Sequence, residues 1–319
     1  MKKFLLPIVT ITLLVGGLII STKMNAVTAA ETSRIQIDIT PIETNLSLAP
    51  GETYDGEFGI INRGDSTFNF HVTANEFYVK DLTYETTYDS GIAFSQIAYW
   101  VTFDQENFYG IGPNEKQQVT YHIKVPDDAP GGGQYAVLFA VVSDERINES
   151  VGIKTDSRVG MKIYAKISGE TRSSGKIKSI NQPWFYSTSI VNSVAQVENT
   201  GNVDFNSHHE YVAESLLGGE LFRNSALFRI MPNTTREINM KWADAPSFGI
   251  FRVRNKITFL GETKYDQEKI VIIAPIWLIV LAIVALVLLL GLIFFIILFI
   301  IKKIRHKKSH KKLKNTPLD

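Results

Sequence analysis

The chain has 319 residues, of which 33 are basic and 32 acidic, with six histidines and no cysteine. Lacking thiols, it has no disulfide bracing, cysteine nucleophile or zinc–cysteine centre. The near-neutral balance hides a partition. Lys2, Lys3 and Lys23 lie near the N-terminus, and eight bases with one acid (Asp319) follow the last apolar run, which leaves 22 bases against 31 acids between them. A net charge of −9 there argues against a nucleic acid partner, which needs a basic face, and against tight capture of anionic wall polymers.

Met1-Lys2-Lys3 is a positive start, and Phe4 to Ile20 is apolar except for Pro7, two glycines and two threonines. Val27-Thr28-Ala29 or Thr28-Ala29-Ala30 then offers a small-residue cleavage site. Residues 1–30 read as a secretion signal that is removed, with an uncleaved signal anchor as the alternative. An exported region of this size with no cysteine points to a bacterium with one membrane and an exposed wall.

From Glu31 to about Ile273 the chain is long enough for two ordinary domains. Its texture is short alternating runs broken by turn residues. Ile35, Ile37 and Ile39 alternate with Gln36, Asp38 and Thr40, and Val119, Tyr121, Ile123 and Val125 alternate with polar residues. Tyr135 to Val142 is a continuous apolar run. Period two with many β-branched and aromatic residues predicts strands. No stretch of this region offers an amphipathic helix of three turns, so an all-β exterior is expected.

A repeat predicts two copies of one β-sandwich. Asn62-Arg63-Gly64-Asp65-Ser66-Thr67-Phe68 matches Asn199-Thr200-Gly201-Asn202-Val203-Asp204-Phe205. Pro113-Asn114 and Pro232-Asn233 each precede an alternating strand that ends in Asp-Ala-Pro, at Asp128-Ala129-Pro130 and Asp244-Ala245-Pro246. Gly133 with Tyr135 and Gly249 with Phe251 follow in the same order. The boundaries expected are 31–170 for the first sandwich and 171–273 for the second, with Ser173-Ser174-Gly175 as a short linker. The Asn-x-Gly element reads as a hairpin turn with glycine at positive φ.

The chemistry that would mark an enzyme is sparse. His71 and His122 fall on the polar phase of alternating strands and read as solvent-facing. His208-His209-Glu210 invites a metal reading, but adjacent strand residues point to opposite faces. Pro130-Gly131-Gly132-Gly133 is glycine-rich, yet no Gly-Lys-Ser/Thr follows and no helix begins, so it reads as a loop before a strand. Asp127-Asp128 and Asp144-Glu145 lack the oxygen-rich spacing of a calcium loop. No catalytic residue, cofactor or metal is expected. Binding is the expected occupation, and the candidate ligand contacts are aromatic: Tyr99, Trp100, Tyr109, Trp184, Phe185 and Tyr186. Trp100 and Trp184 are each expected to fill a core rather than face outward. Free strand edges offer a second kind of docking surface, for an extended peptide.

Ile276 to Ile301 is an uncharged apolar run of 26 residues, long enough to cross a bilayer core of about 30 Å as a helix. Pro275 stands at its start, Trp277 suits an interfacial anchor, and Lys302-Lys303-Ile304-Arg305 opens a basic tail. Short basic segments stay in the cytoplasm, so residues 274–301 read as one membrane span, 302–319 as a cytoplasmic tail, and all that precedes as external. The single Gly291 gives no small-xxx-small pair for tight helix association.

This layout resembles the WxL-interacting proteins of Gram-positive bacteria. The residues that carry the resemblance are Leu48-Ala49-Pro50-Gly51-Glu52-Thr53, Ile61-Asn62-Arg63-Gly64, Val125-Pro126-Asp127-Asp128-Ala129-Pro130-Gly131-Gly132 and Asn199-Thr200-Gly201-Asn202-Val203-Asp204-Phe205. The chain departs from the family pattern between Glu76 and Tyr99. The resemblance implies two tandem immunoglobulin-like sandwiches with a C-terminal transmembrane helix. It also implies peptidoglycan or another wall component as partner of the first domain, and host matrix or secreted WxL-domain proteins as partners of the second. A scaffold holding surface proteins at the wall is therefore expected. The alternatives are an adhesin for host or neighbouring-cell ligands, or an accessory subunit of a transporter or enzyme complex.

Overall fold

The structure, a computed structural model, describes residues 35–89, 91–143 and 157–313. The expected secretion signal, the Asp144-Glu145 pair and the last residues of the basic tail lie outside the described residues.

The first sandwich is built from β1 (Ile37–Thr40), β2 (Glu43–Leu48), β3 (Thr53–Asn62), β4 (Phe68–Glu76), the short β5 (Tyr78–Val79) and β6 (Thr86–Thr87), β7 (Val101–Phe103), β8 (Asn107–Ile111), β9 (Lys116–Lys124), β10 (Gly132–Ser143) and β11 (Ser157–Ile167). One sheet has the order β1-β3-β9-β7, the facing sheet β2-β11-β10-β4-β8, and β5 with β6 forms a separate ribbon. The second sandwich comprises β12 (Gly175–Asn181), β13 (Phe185–Tyr186), β14 (Val191–Asn199), β15 (Phe205–Ser215), β16 (Glu220–Ile230), β17 (Thr235–Trp242), β18 (Gly249–Phe259) and β19 (Glu262–Ile273). Its sheets have the orders β12-β14-β17 and β13-β19-β18-β15-β16.

These orders are one plan used twice. In each copy the opening strand breaks at a proline, Pro41 or Pro183, and switches sheets. The chain then pairs in parallel with the last strand, β2 on β11 and β13 on β19, while the other ladders are antiparallel. Two tandem immunoglobulin-like sandwiches result. The copies differ at one connection. β15 and β16 meet through a tight hairpin, whereas β4 and β8 are separated by residues 77–106, which carry the β5–β6 ribbon, a 3₁₀ turn (Gln96–Trp100) and β7.

Alternation sorts the side chains as the pattern predicts. Phe58, Ile60, Val119, Tyr121, Ile123, Leu138 and Ile163 fill the first core, and Val191, Val197, Tyr211, Ile238, Val253 and Val271 fill the second. Each fully buried side chain of this size contributes about 1.5–3 kcal/mol. β10 is buried on both faces, which is why Tyr135 to Val142 reads as a continuous apolar run. Its outward residues Tyr135, Val137 and Phe139 form a third cluster with Phe77 and Val79 of the same sandwich and Met231 of the second.

The Asn-x-Gly corners differ from the predicted hairpins. Each joins strands in different sheets, β3 to β4 and β14 to β15. Neither Gly64 nor Gly201 is among the glycines at positive φ. The asparagine does the work. Asn62 is fully buried, its Nδ2 donates to Ser66 O (2.8 Å) and Ile111 O (3.0 Å), and its Oδ1 accepts from Gly64 N (2.9 Å). Asn199 repeats all three contacts, with Val203 O (2.8 Å), Ile230 O (2.9 Å) and Gly201 N (2.8 Å). Positive φ belongs instead to Asn114 and Asn233, at the second repeated mark, where asparagine tolerates the left-handed region.

Only Ala274 and Pro275 separate β19 from α1 (Ile276–Leu313). Its span Ile276–Lys303 has a mean hydropathy of 3.5 and no part of the most apolar window is covered by the protein. At 1.5 Å per residue it is about 42 Å long, beyond a core of about 30 Å. It is the one helix among the described residues that is long and apolar enough to cross a membrane. The backbone stays helical past the predicted end at 301, because the basic residues that follow form helix readily.

Candidate functional site

The aromatic candidates are not brought together. Tyr99 (70 % exposed) leaves the 3₁₀ turn and hydrogen-bonds Glu76, at one end of β4. Tyr109 (73 % exposed) stands beside Gly110, whose N–H donates to Asn69 Oδ1 near the other end. The seven residue steps of strand from Asn69 to Glu76 span about 23 Å. Trp100 is partly buried against the first core. Trp184 was expected in a core and is 65 % exposed. It precedes β13, and the second core is filled by Trp242, stacked on Phe222 and edge-on to Phe251. Tyr186 is removed from the ligand candidates. It is buried and its hydroxyl donates to Asn192 O at 2.5 Å. Phe185 is half-buried beside Trp184, ring centroids 5.8 Å apart.

The densest polar geometry lies where the sandwiches meet, which motif reading missed. The Tyr135 hydroxyl donates to Asp204 Oδ1 (2.9 Å) and accepts from Asp204 N (3.0 Å). Arg229 bonds the other oxygen of Asp204 (2.7 Å), reaches Asn45 Oδ1 (2.9 Å) across the joint, and lies 3.8 Å from the Tyr164 ring centroid. Asn202 donates to Gly131 O (3.2 Å) and Glu170 O (2.8 Å), and its carbonyl accepts from Gly133 N (2.7 Å). A Cβ on Gly131 would stand 2.6 Å from Glu170 N, and one on Gly132 would stand 2.8 Å from Asn202 O. The glycine-rich loop is thus a seat for the second sandwich. The linker is also tied down, since Ser174 O accepts from Thr200 N and Gly201 N.

The segment that follows β4 closes the other side of the joint. Tyr84 Oη bonds Thr234 Oγ1 (2.7 Å) and accepts from Met231 N (2.8 Å), and the Tyr78 hydroxyl donates to Pro232 O. Asp81 accepts from Thr235 N (2.6 Å). Leu82 bridges in parallel to Arg236, donating to Thr235 O and accepting from Glu237 N. The strap therefore extends the open edge of β17. Burial pushes the Tyr78 and Tyr135 hydroxyls well up from their ordinary value and raises that of Tyr84, so they remain neutral.

No protein-family model matches the chain, and no curated protein does. Among solved structures it is similar to a chaperone–tip adhesin complex of CFA/I fimbriae, at 12 % identity over 75 % of this chain and 99 % of that one, with a TM-score of 0.37. It is also similar to the class 5 fimbrial chaperone CfaA, at 10 % identity over 75 % and 100 %, TM-score 0.37. A third is the CsuC–CsuE chaperone–tip adhesion complex from Acinetobacter baumannii, at 10 % over 74 % and 98 %, TM-score 0.37.

The histidines divide as alternation requires. His208 faces out and bonds Ser225 Oγ (2.7 Å), while His209 is buried against Ser207 Oγ (3.0 Å), so the pair cannot share an ion. His71 is half-buried on β4. Among the described residues no three His, Asp or Glu side chains are grouped to hold a metal. His122 lies half-exposed between two carboxylates, Nδ1 2.6 Å from Asp55 Oδ1 and Nε2 2.7 Å from Asp104 Oδ1. Its hydrogen bonds, to Asp55 first and then Asp104, hold its pKa above the usual value. Burial, with the charges of His208 and Arg236, pushes His209 down to about 4.

The two shifts act on opposite sides of the unfolded value near 6.5. The His122 contribution is complete below about pH 6.5 and is lost as pH rises through its higher folded value. His209 stays neutral in the fold, so stability falls as pH drops below about 6.5 and the unfolded chain takes up the proton. Urea midpoints measured between pH 5 and 8 are expected to fall on both sides. His122→Gln is expected to flatten the alkaline limb alone; an unchanged limb would remove the histidine–carboxylate contact from the account.

Proposed function

We propose that this protein is a non-enzymatic, single-pass surface scaffold whose two sandwiches stand outside the membrane and hold a wall component or partner protein at a set height. The observation that carries this reading is the continuity of rigid connections. Strap, glycine-rich loop and linker bond sandwich to sandwich. Two residues, with Ala274 N donating to Tyr186 O, join the second sandwich to α1. A tether that only kept a domain near the membrane would need no such joints. The basic residues after the span favour an external location for the sandwiches. The resemblance to WxL-interacting proteins favours peptidoglycan and secreted WxL-domain proteins as the things held.

Sedimentation of the recombinant exterior, residues 31–273, with purified cell-wall sacculi tests the wall-binding part. Pelleting that survives moderate salt is expected, and Tyr99→Ala with Tyr109→Ala is expected to weaken it. Surface substitutions map the site better than truncation at 170, which would remove Met231 from the Tyr135 cluster and leave Tyr78, Asp81 and Tyr84 without their partners in the second sandwich. Protein that stays in the supernatant at every salt concentration would end the peptidoglycan reading.

A further inference from the structure

Strand direction defines one end of the second sandwich. β19 runs toward α1 and ends at Ile273, opposite Gly249. Ser215 pairs with Phe251, so the β15–β16 hairpin that begins there turns at the same end. Phe185 pairs with Ile272, which brings Trp184 to that end too. The joint with the first sandwich, at Asn202 and Asp204, lies at the opposite end of β15.

Three separate connections at the α1 end carry exposed apolar tips. Leu217 is fully exposed at a hairpin tip closed by Gly218 and Gly219 at positive φ. Phe248 is 71 % exposed in the β17–β18 loop, and Trp184 precedes β13. Trp277, 67 % exposed in the first turn of α1, lines one groove of about 480 Å³ with Phe248, and hydroxyls of Ser187, Thr188, Ser189 and Ser247 edge it. Several turns elsewhere are polar, as at Ala49-Pro50-Gly51-Glu52 and Gly112-Pro113-Asn114-Glu115, while Ile42 and Leu260 are exposed at two others. An apolar tip facing water is unfavourable. Three of them at one end, around the helix that leaves it, mark a shared apolar partner.

We propose that this end of the second sandwich is a lipid-binding face, seated in the headgroup layer of the bilayer that α1 crosses. Leu217, Phe248 and Trp184 insert around Trp277. The proposal rests on α1 being a membrane span. Reach selects lipid as the occupant. Two linking residues extend at most about 7 Å, comparable with the roughly 5–7 Å of headgroup layer on each side of the apolar core. Aromatic residues favour that layer, and hydroxyl side chains can bond its ester and phosphate oxygens. The face would hold the sandwiches at a defined tilt, where one helix alone allows rotation.

The absence of cysteine makes the test clean. Full-length Leu217→Cys, Phe248→Cys, Glu262→Cys and Leu288→Cys variants are labelled with one fluorophore and placed in phosphatidylcholine–phosphatidylglycerol nanodiscs. Glu262 lies at the opposite end of β19, and Leu288 lies within the span. Labels at 217 and 248 are expected to be quenched by headgroup-level nitroxide lipid and shielded from iodide several-fold relative to 262. Labels at 217 and 248 as open to iodide as 262, with 288 quenched by deep nitroxide lipid, would overturn the face while leaving the span. Iodide shielding without lipid quenching would assign the face to a protein and also overturn the proposal. A label at 288 that deep lipid does not quench would remove the span itself, and the face with it.

Discussion

Asn199→Ala is expected to destabilise the second sandwich by about 3–5 kcal/mol, and Asn62→Ala to do the same to the first. Each asparagine is buried and satisfies three backbone groups at once: a carbonyl four residues on, a carbonyl on a distant strand, and the N–H two residues on. Alanine leaves all three without a partner in a place with little room for water, and each unmet buried group costs about 1–3 kcal/mol. The contact to Ile111 or Ile230 also pins the corner to the strand preceding the next Pro-Asn turn, so the loss reaches past the loop. Asn199→Asp keeps the acceptor for Gly201 N but sets an anion against two carbonyl oxygens, and is expected to cost at least as much. Urea unfolding followed by tryptophan fluorescence measures it. A cost below about 1 kcal/mol at both sites would mean that water replaces the amide and that the repeat marks something other than this bond set.

How much of this was legible in the sequence depends on the range of each interaction. Alternation is local, so the strands, the all-β class and the paired architecture could be read from Val119, Tyr121 and Ile123 or from the matched Asp-Ala-Pro marks. The Asn-x-Gly match was visible, but its meaning was not. The partner of Asn62 is Ile111 O, 49 residues away, and no local pattern announces it. The glycines of residues 131–133 looked like a loop because what they touch, Asn202, belongs to the other sandwich. Two-sided burial of β10 showed as a continuous apolar run. What covers its outer face, the strap at 77–95 and Met231, could not be inferred from it. The aromatic clusters misled for a related reason. Density along the chain carries no facing information at strand ends, so Trp184 is exposed while Tyr186, two residues on, is buried.

Tyr135→Ala is the substitution expected to separate the two sandwiches. Tyr135 is fully buried on the outer face of β10, edge-on to Tyr164 at 5.9 Å, and its hydroxyl both donates to and accepts from Asp204. Removing a buried ring of this size costs about 3–5 kcal/mol. Here the cavity opens at the joint itself, beside Asp204, whose remaining partner Arg229 also serves Asn45 of the first sandwich. The intact exterior is expected to unfold in one calorimetric transition, because neither sandwich can open without baring the cluster around Met231 and Tyr135. The variant is expected to show two, the first sandwich melting earlier. Tyr135→Phe keeps the ring and loses only the hydroxyl, so it is expected to cost about 1–3 kcal/mol and to retain a single transition. That contrast separates packing from hydrogen bonding as the origin of coupling. Two transitions in the intact protein would show the sandwiches to be independent, and a scaffold of set height would then need its rigidity from the bound partner. A single transition that survives Tyr135→Ala would move the coupling to the strap, where Tyr84, Asp81 and Leu82 hold the edge of β17.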